Sequence, residues 1–162
     1  MTDRTFIQTN PLTPAEFAEQ CEGALLALAA FAGDRPLGLL LAFGPATLLR
    51  GPNHGWMRAH HPRAAYVDRV VVAAEAQGQG LGRVLYAALA GRLAAAGLDA
   101  IGCEVNLDPP NPESLAFHRR LGFAPVGEAT DPRNGKRVQY LLAADLLGKA
   151  ADPAAHFLRS AR

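Results

Sequence analysis

The residues best suited to chemistry form a glycine-rich turn shortly after a valine-rich segment. Val70-Val71-Val72 precedes Gln77-Gly78-Gln79-Gly80-Leu81-Gly82-Arg83. β-Branched residues favour a strand and the apolar spacing from Leu81 onward favours a helix, so the glycines lie on a strand-to-helix turn. Unpaired backbone amides and the positive end of the helix meet there, and no bulky side chain obstructs an anion. The pattern predicts a pyrophosphate site, with Arg83 as an additional cationic contact.

Other interpretations of this turn fit the residues less well. A nucleoside-triphosphate loop needs Gly-Lys-Ser or Gly-Lys-Thr, and the sequence contains neither. A dinucleotide site would use Gly78 and Gly80 as its first two glycines and Glu104 as the acid that binds the ribose. Its third glycine is missing, because Arg83 occupies that position. A turn that only packs a helix against a strand is the third alternative.

Apolar periodicity, helix-capping residues and turn residues predict the helices and strands around this turn. A capping box at Thr13 and Glu16 predicts a first helix. Asn111 and Gly122 bound a later one. The predicted elements are, in order, a helix over 13–20, strands over 24–32 and 37–43, a long connection over 44–65, a strand over 66–73, a helix over 81–96, a strand over 100–106, a helix over 111–122, and a hairpin of 123–128 with 137–143.

Size and composition set the class of protein. The 162 residues, 49% of them apolar and 19% charged, predict one globular domain over 1–162, with a core over about 12–145 and a tail over 148–162. A net charge of +1 without basic clusters argues against nucleic acid as a partner. No signal peptide or membrane span is indicated, so we expect a cytoplasmic protein whose cysteines, Cys21 and Cys103, are core residues.

At this point the sequence resembles a known family. Gln-x-x-Gly-x-Gly after a valine-rich strand is similar to the coenzyme A signature of the GNAT N-acetyltransferase superfamily, and Asn111-Pro-Glu-Ser-Leu-Ala-Phe-His-Arg-Arg-Leu-Gly-Phe123 is similar to its following motif. The order of elements matches as well. The resemblance implies an α/β (α+β) fold, in which a mixed, mostly antiparallel sheet has a central splayed pair of parallel strands and is flanked by helices.

The resemblance also implies how acetyl-coenzyme A binds. The main chain of the valine-rich strand would contact the pantetheine arm, and the amides of the turn would hold the pyrophosphate. Side chains of the second motif would contact the pantetheine or adenosine part. The implied cofactor-binding residues are Val70, Val71, Val72, Gln77, Gly78, Gln79, Gly80, Leu81, Gly82, Arg83, Asn111, Ser114, Phe117 and His118.

Three residues are candidates for proton transfer. His118 stands where the family usually has a tyrosine acid, and an imidazolium with an ordinary pKa near ~6.5 can protonate a thiolate. An attacking amine needs a base, and Asp68 and Glu104 lie on the two central strands. Alternation places Asp68 on the same strand face as Val70 and Val72. Either carboxylate could instead pair with an arginine, and the tyrosines Tyr66, Tyr86 and Tyr140 are alternative acids.

The long connection carries His54, Trp56, His60 and His61, which we expect to line or cover the acceptor site. No carboxylate or thiolate at a useful spacing accompanies these histidines, so we expect no metal.

The sequence therefore predicts direct acetyl transfer to an amine of a small molecule or peptide. Two alternatives are a sensor that binds acyl-coenzyme A without turnover and a nucleotide-dependent oxidoreductase. Proteins with this architecture often form homodimers, although no residue here demands one.

Overall fold

The computed structural model describes residues 13–48 and 50–144 of the chain. Within these ranges the sheet has six strands and α-helices flank it. In chain order the elements are α1 (Pro14–Glu22), β1 (Leu26–Ala32), β2 (Arg35–Phe43), α2 (Pro52–His60), β3 (Ala64–Val72), α3 (Leu81–Leu93), β4 (Ala100–Asp108), α4 (Pro112–Leu121), β5 (Ala124–Thr130) and β6 (Arg137–Ala143).

Local sequence determines where the first helix begins. The Thr13 hydroxyl accepts from the Glu16 amide at 3.2 Å, and the Glu16 carboxylate accepts from the Thr13 amide at 2.8 Å. Two amides that lack helical partners are thereby satisfied, which confirms the predicted capping box.

The sheet has the strand order β1-β2-β3-β4-β6-β5. Every neighbouring pair is antiparallel except β3 and β4, which are parallel. The predicted mixed sheet with one central parallel pair is confirmed.

The parallel pair separates along its length. Only Ala64 to Tyr66 of β3 pair with Ala100 to Gly102 of β4, although both strands continue for six more residues. The predicted divergence of the two strands is confirmed, and it opens a gap in the centre of the sheet.

The two faces of the sheet carry separate apolar clusters. Leu85, Leu89 and Leu93 recur along α3 and are buried against one face. A smaller cluster around Met57 of α2 covers the other face. A Cβ atom at Gly102 of β4 would overlap the Met57 side chain, so glycine lets α2 pack closely there.

Most predicted elements are confirmed within a few residues, but the long connection over 44–65 is wrong. It contains α2, which begins with Pro52 after Gly51. Pro suits the first turn of a helix, yet Gly55 and the histidines obscure the periodicity that would predict one. The tail over 148–162 lies outside the described residues. Within the described ranges, none of the helices is both long and apolar enough to cross a membrane.

Candidate active site

The glycine-rich turn leaves the start of α3 open. Gly78 and Gly80 have φ values of 77° and 83°, which favour glycine, and a Cβ atom at either would meet no other atom within 4 Å. Gly80 is the N-cap of α3 and offers no side-chain cap. The first amides of α3 therefore have neither a helical partner nor a side-chain cap, as an anion site requires.

A cavity of ≈ 260 Å³ adjoins this turn, and we call it the glycine-turn cavity. Two of its lining residues, Gly82 and Phe117 of α4, are in close contact, since a Cβ atom at Gly82 would lie 2.7 Å from the Phe117 ring. The cavity is lined by Val70, Val72, Ala76, Gln77, Gly78, Gly80, Leu81, Gly82, Arg83, Phe117 and Arg120.

The cavity brings together many of the predicted cofactor residues, but not all of them. Asn111 caps α4 by accepting from the Ser114 amide at 3.2 Å, and both residues line a different cavity. Arg120 was missed by sequence reasoning. Its spacing of three from Phe117, on one face of a helix, is the signal that would have found it.

The second cavity, of ≈ 250 Å³, lies where β3 and β4 separate, and we call it the polar cavity. Residues from six parts of the chain meet there. Its lining comprises Gln20, Arg50, Asn53, Tyr66, Asp68, Arg69, Glu104, Val105, Asn106, Asn111, Ser114, Asp131, Arg133, Asn134, Lys136 and Val138. Sequence reasoning found only its strand carboxylates, Tyr66 and the α4 residues, since the others approach from distant segments.

Glu104 lines the polar cavity from β4. Its Oε1 accepts from the Tyr66 hydroxyl at 2.9 Å. Its Oε2 is buried and has no hydrogen-bond partner among the described residues. Burial raises the pKa of Glu104 to about 7, although the hydrogen bond from Tyr66 and the nearby Asn53 amide oppose the shift. A carboxyl group with one oxygen that has no hydrogen-bond partner and a pKa near neutrality is suited to accept a proton.

Asn53 has a fixed orientation beside Glu104. The Tyr140 hydroxyl donates to Asn53 Oδ1 at 2.8 Å, and both side chains are buried. With its oxygen engaged in this way, Asn53 can present its amide hydrogens to the cavity.

Asp68 lies on the face of β3 opposite to the one predicted. The register with β2 shifts between Leu41 and Ala42, so Asp68 is an extra residue in a bulge, and the simple alternation fails. Val70 and Val72 consequently line the glycine-turn cavity while Asp68 and Arg69 line the polar cavity. Asp68 pairs with Arg69 at 3.3 Å, and burial raises its pKa despite that charge.

His118 is buried between two helices and lines neither cavity. Its Nδ1 lies 2.7 Å from the Ser114 carbonyl and therefore carries the hydrogen, which leaves Nε2 to accept from the Tyr86 hydroxyl at 2.7 Å. Burial lowers the pKa of His118 to about 4. The pKa lies below the ordinary value near ~6.5 that was expected, so the neutral imidazole is the favoured form at neutral pH.

The aromatic residues of α2 stack on other rings or form hydrogen bonds within the domain. His54 is buried, stacks on Tyr66 with centroids 5.1 Å apart, and bonds to the Gly44 carbonyl and the Arg50 amide. Trp56 stacks between Tyr140 and His60. None of these α2 aromatics, nor His61, lines the polar cavity. The expectation that they line the acceptor site is not met at this cavity, and the expectation that they cover that site stays a prediction.

The comparisons with known proteins now define the class. The model of the acetyltransferase (GNAT) family matches residues 3–123. The chain belongs to this family, whose members use acetyl-coenzyme A as acyl donor. Curated protein sequences contain no match.

Solved structures agree in fold. Ard1 from Thermoplasma volcanium is similar with a TM-score of 0.65 and 14% identity, over 84% of this chain and 82% of that one. Naa20 from Chaetomium thermophilum, solved with a bisubstrate analogue, is similar with a TM-score of 0.62 and 18% identity, over 87% of this chain and 78% of that one. The ribosomal-protein-S18-alanine N-acetyltransferase from Escherichia coli is similar with a TM-score of 0.58 and 18% identity, over 83% of this chain and 78% of that one.

Proposed function

We propose that this protein transfers an acetyl group from acetyl-coenzyme A directly to a primary amine of a small molecule or peptide, in a ternary complex. One observation carries the proposal: β3 contributes to two cavities at the gap where it leaves β4. Val70 and Val72 line the glycine-turn cavity, whereas Tyr66 and Asp68 line the polar cavity. Donor and acceptor can then meet from opposite sides of the gap.

The glycine-turn cavity fits the donor. The uncapped amides at the start of α3, with Arg83 and Arg120 nearby, suit a pyrophosphate. Beyond Tyr66 the main chain of β3 is not paired with β4, which suits an extended amide-bearing arm. When bound, acetyl-coenzyme A supplies an activated acetyl thioester. The residues of the chain hold and orient it.

Glu104 is the proposed proton acceptor for the amine. Oε2 is the oxygen that receives the proton, since Oε1 is engaged by Tyr66. Asp68, held by Arg69, is proposed to bind the acceptor. His118 stays a predicted acid. Because it is buried and its Nε2 is hydrogen-bonded to Tyr86, this hydrogen bond would have to break before His118 could donate a proton to the thiolate.

The test is thiol release from acetyl-coenzyme A across a library of amines, with the Glu104→Gln variant beside the native protein. We expect amine-dependent release that falls by about a hundredfold or more in the variant. Binding of acetyl-coenzyme A without amine-dependent release would instead support a sensor.

A further inference from the structure

The polar cavity contains more positive than negative side chains. Two of its four cationic residues are engaged inside it. Arg69 pairs with Asp68 at 3.3 Å, and Arg133 pairs with Asp131 at 2.7 Å. Arg133 also donates from Nε to both oxygens of that carboxylate, at 3.0 and 3.2 Å. These two pairs cancel in charge.

The other two cations, Arg50 and Lys136, have no such counterion. Neither lies within 4.0 Å of a carboxylate oxygen of any residue in 13–48 or 50–144. Arg50 still acts on the cavity at longer range, because its charge lowers the pKa of Asp68 relative to burial alone. Among the carboxylates that line the polar cavity, only Glu104 is not already paired with an arginine and can offset their positive charge.

Arg50 is positioned by packing rather than by an ion pair. Its guanidinium lies 4.8 Å from the centre of the Phe43 ring. A Cβ atom at Gly23 would be 2.5 Å from Nη2, so the absence of a side chain there makes room for the group. Its Nε is buried and has no hydrogen-bond partner among the described residues. A fixed guanidinium with an unused donor is suited to a planar carboxylate.

From this arrangement we infer that the acceptor is a small amine that also bears a carboxylate, which binds Arg50 and Lys136 while the amine faces Glu104. The inference rests on the proposed function. A volume of ≈ 250 Å³ suits a molecule of amino-acid size. An acceptor with several positive charges would meet a cavity whose four cations outnumber its three carboxylates, which disfavours polyamines and basic peptides.

The experiment compares L-amino acids with their carboxamides, which differ only in the carboxylate. Acetyl transfer is measured by thiol release, and binding is measured by calorimetry in the presence of coenzyme A. The variants are Arg50→Gln and Lys136→Gln. Arg92→Gln removes the same charge from an exposed position of α3 outside both cavities and serves as the control.

We expect a free amino acid to have a KM, and a Kd, about tenfold or more below that of its carboxamide. Arg50→Gln and Lys136→Gln should each reduce this preference, while Arg92→Gln preserves it. Equal use of both forms, or a preference unchanged in both cavity variants, would overturn the inference and leave acetyl transfer standing. Carboxylate-selective binding without acetyl transfer would support the inference and refute the proposed function, and absence of both would refute both.

Discussion

The hydroxyl of Tyr66 donates to Oε1 of Glu104 over 2.9 Å at the point where β3 and β4 separate. Tyr66 is the last residue of β3 paired with β4, and Glu104 lies just beyond the last paired residue of β4, Gly102. The bond stabilises the charged carboxylate, so it opposes the rise in the pKa of Glu104 that burial causes. The other oxygen, Oε2, is buried and has no hydrogen-bond partner among the described residues.

Tyr66→Phe should therefore raise the pKa of Glu104 above its value of about 7. Since the ionised form accepts the proton, kcat/KM falls as pH drops through this pKa, and the variant should show the fall at higher pH. The measurement is the pH dependence of kcat/KM in both proteins. An unchanged profile would mean that Tyr66 does not act on the base.

Glu104→Gln should change stability in a pH-dependent way. The folded-state pKa of about 7 lies above the ordinary value of 4.5, so the folded protein binds the proton more tightly and stability falls as pH rises between these values. Glutamine does not ionise, so the variant does not lose stability in this way. As the pH rises across that window, its free energy of unfolding should increase by up to about 3 kcal/mol relative to that of the native protein. Thermal unfolding of both proteins below and above the window measures it. A constant difference in Tm would contradict the buried charge.

Gly80→Asp should abolish coenzyme A binding, because it places bulk and negative charge where the pyrophosphate is proposed to lie. We expect Kd, measured by calorimetry, to rise by about a hundredfold or more. Gly97→Asp is the matched control, since Gly97 also has a positive φ, 72°, with open space around it, at the opposite end of the helix. Unchanged affinity in Gly80→Asp would contradict the site.

His118→Phe should depress kcat more than the affinity for coenzyme A if His118 is the acid. It should also lower stability by about 1–3 kcal/mol, because the buried Tyr86 hydroxyl loses its acceptor. Adding Tyr86→Phe removes that stranded hydroxyl, so the double variant should regain stability but not rate. A native kcat in His118→Phe would eliminate His118 as acid.

Much of the fold was predictable because local signals agree with one another. The glycine turn, the Thr13 and Asn111 caps and the valine-rich strand each fix an element, and the order of elements then matches one family. The helix α2 was not predictable in this way. Its burial depends on Met57 packing against Gly102, a contact between distant segments.

The site was predictable only where it lies on regular strands or at a helix start. Glu104 follows the alternation of β4. The alternation of β3 fails after Asp68, since the bulge against β2 puts Val70 and Val72 at the other cavity. The polar cavity also needs Arg50 before α2 and Arg133 and Lys136 from the last hairpin. These three residues are far apart in the sequence and meet only in the folded domain, so no local pattern predicts that they lie together.

The decisive experiment is a structure determined with bound coenzyme A. We expect the pyrophosphate at the amides of the turn from Gln77 to Arg83, and the pantetheine arm in the gap between β3 and β4 with its sulfur toward Glu104. Coenzyme A bound elsewhere, or an arm that does not enter the gap, would refute both the donor site and the proposed transfer.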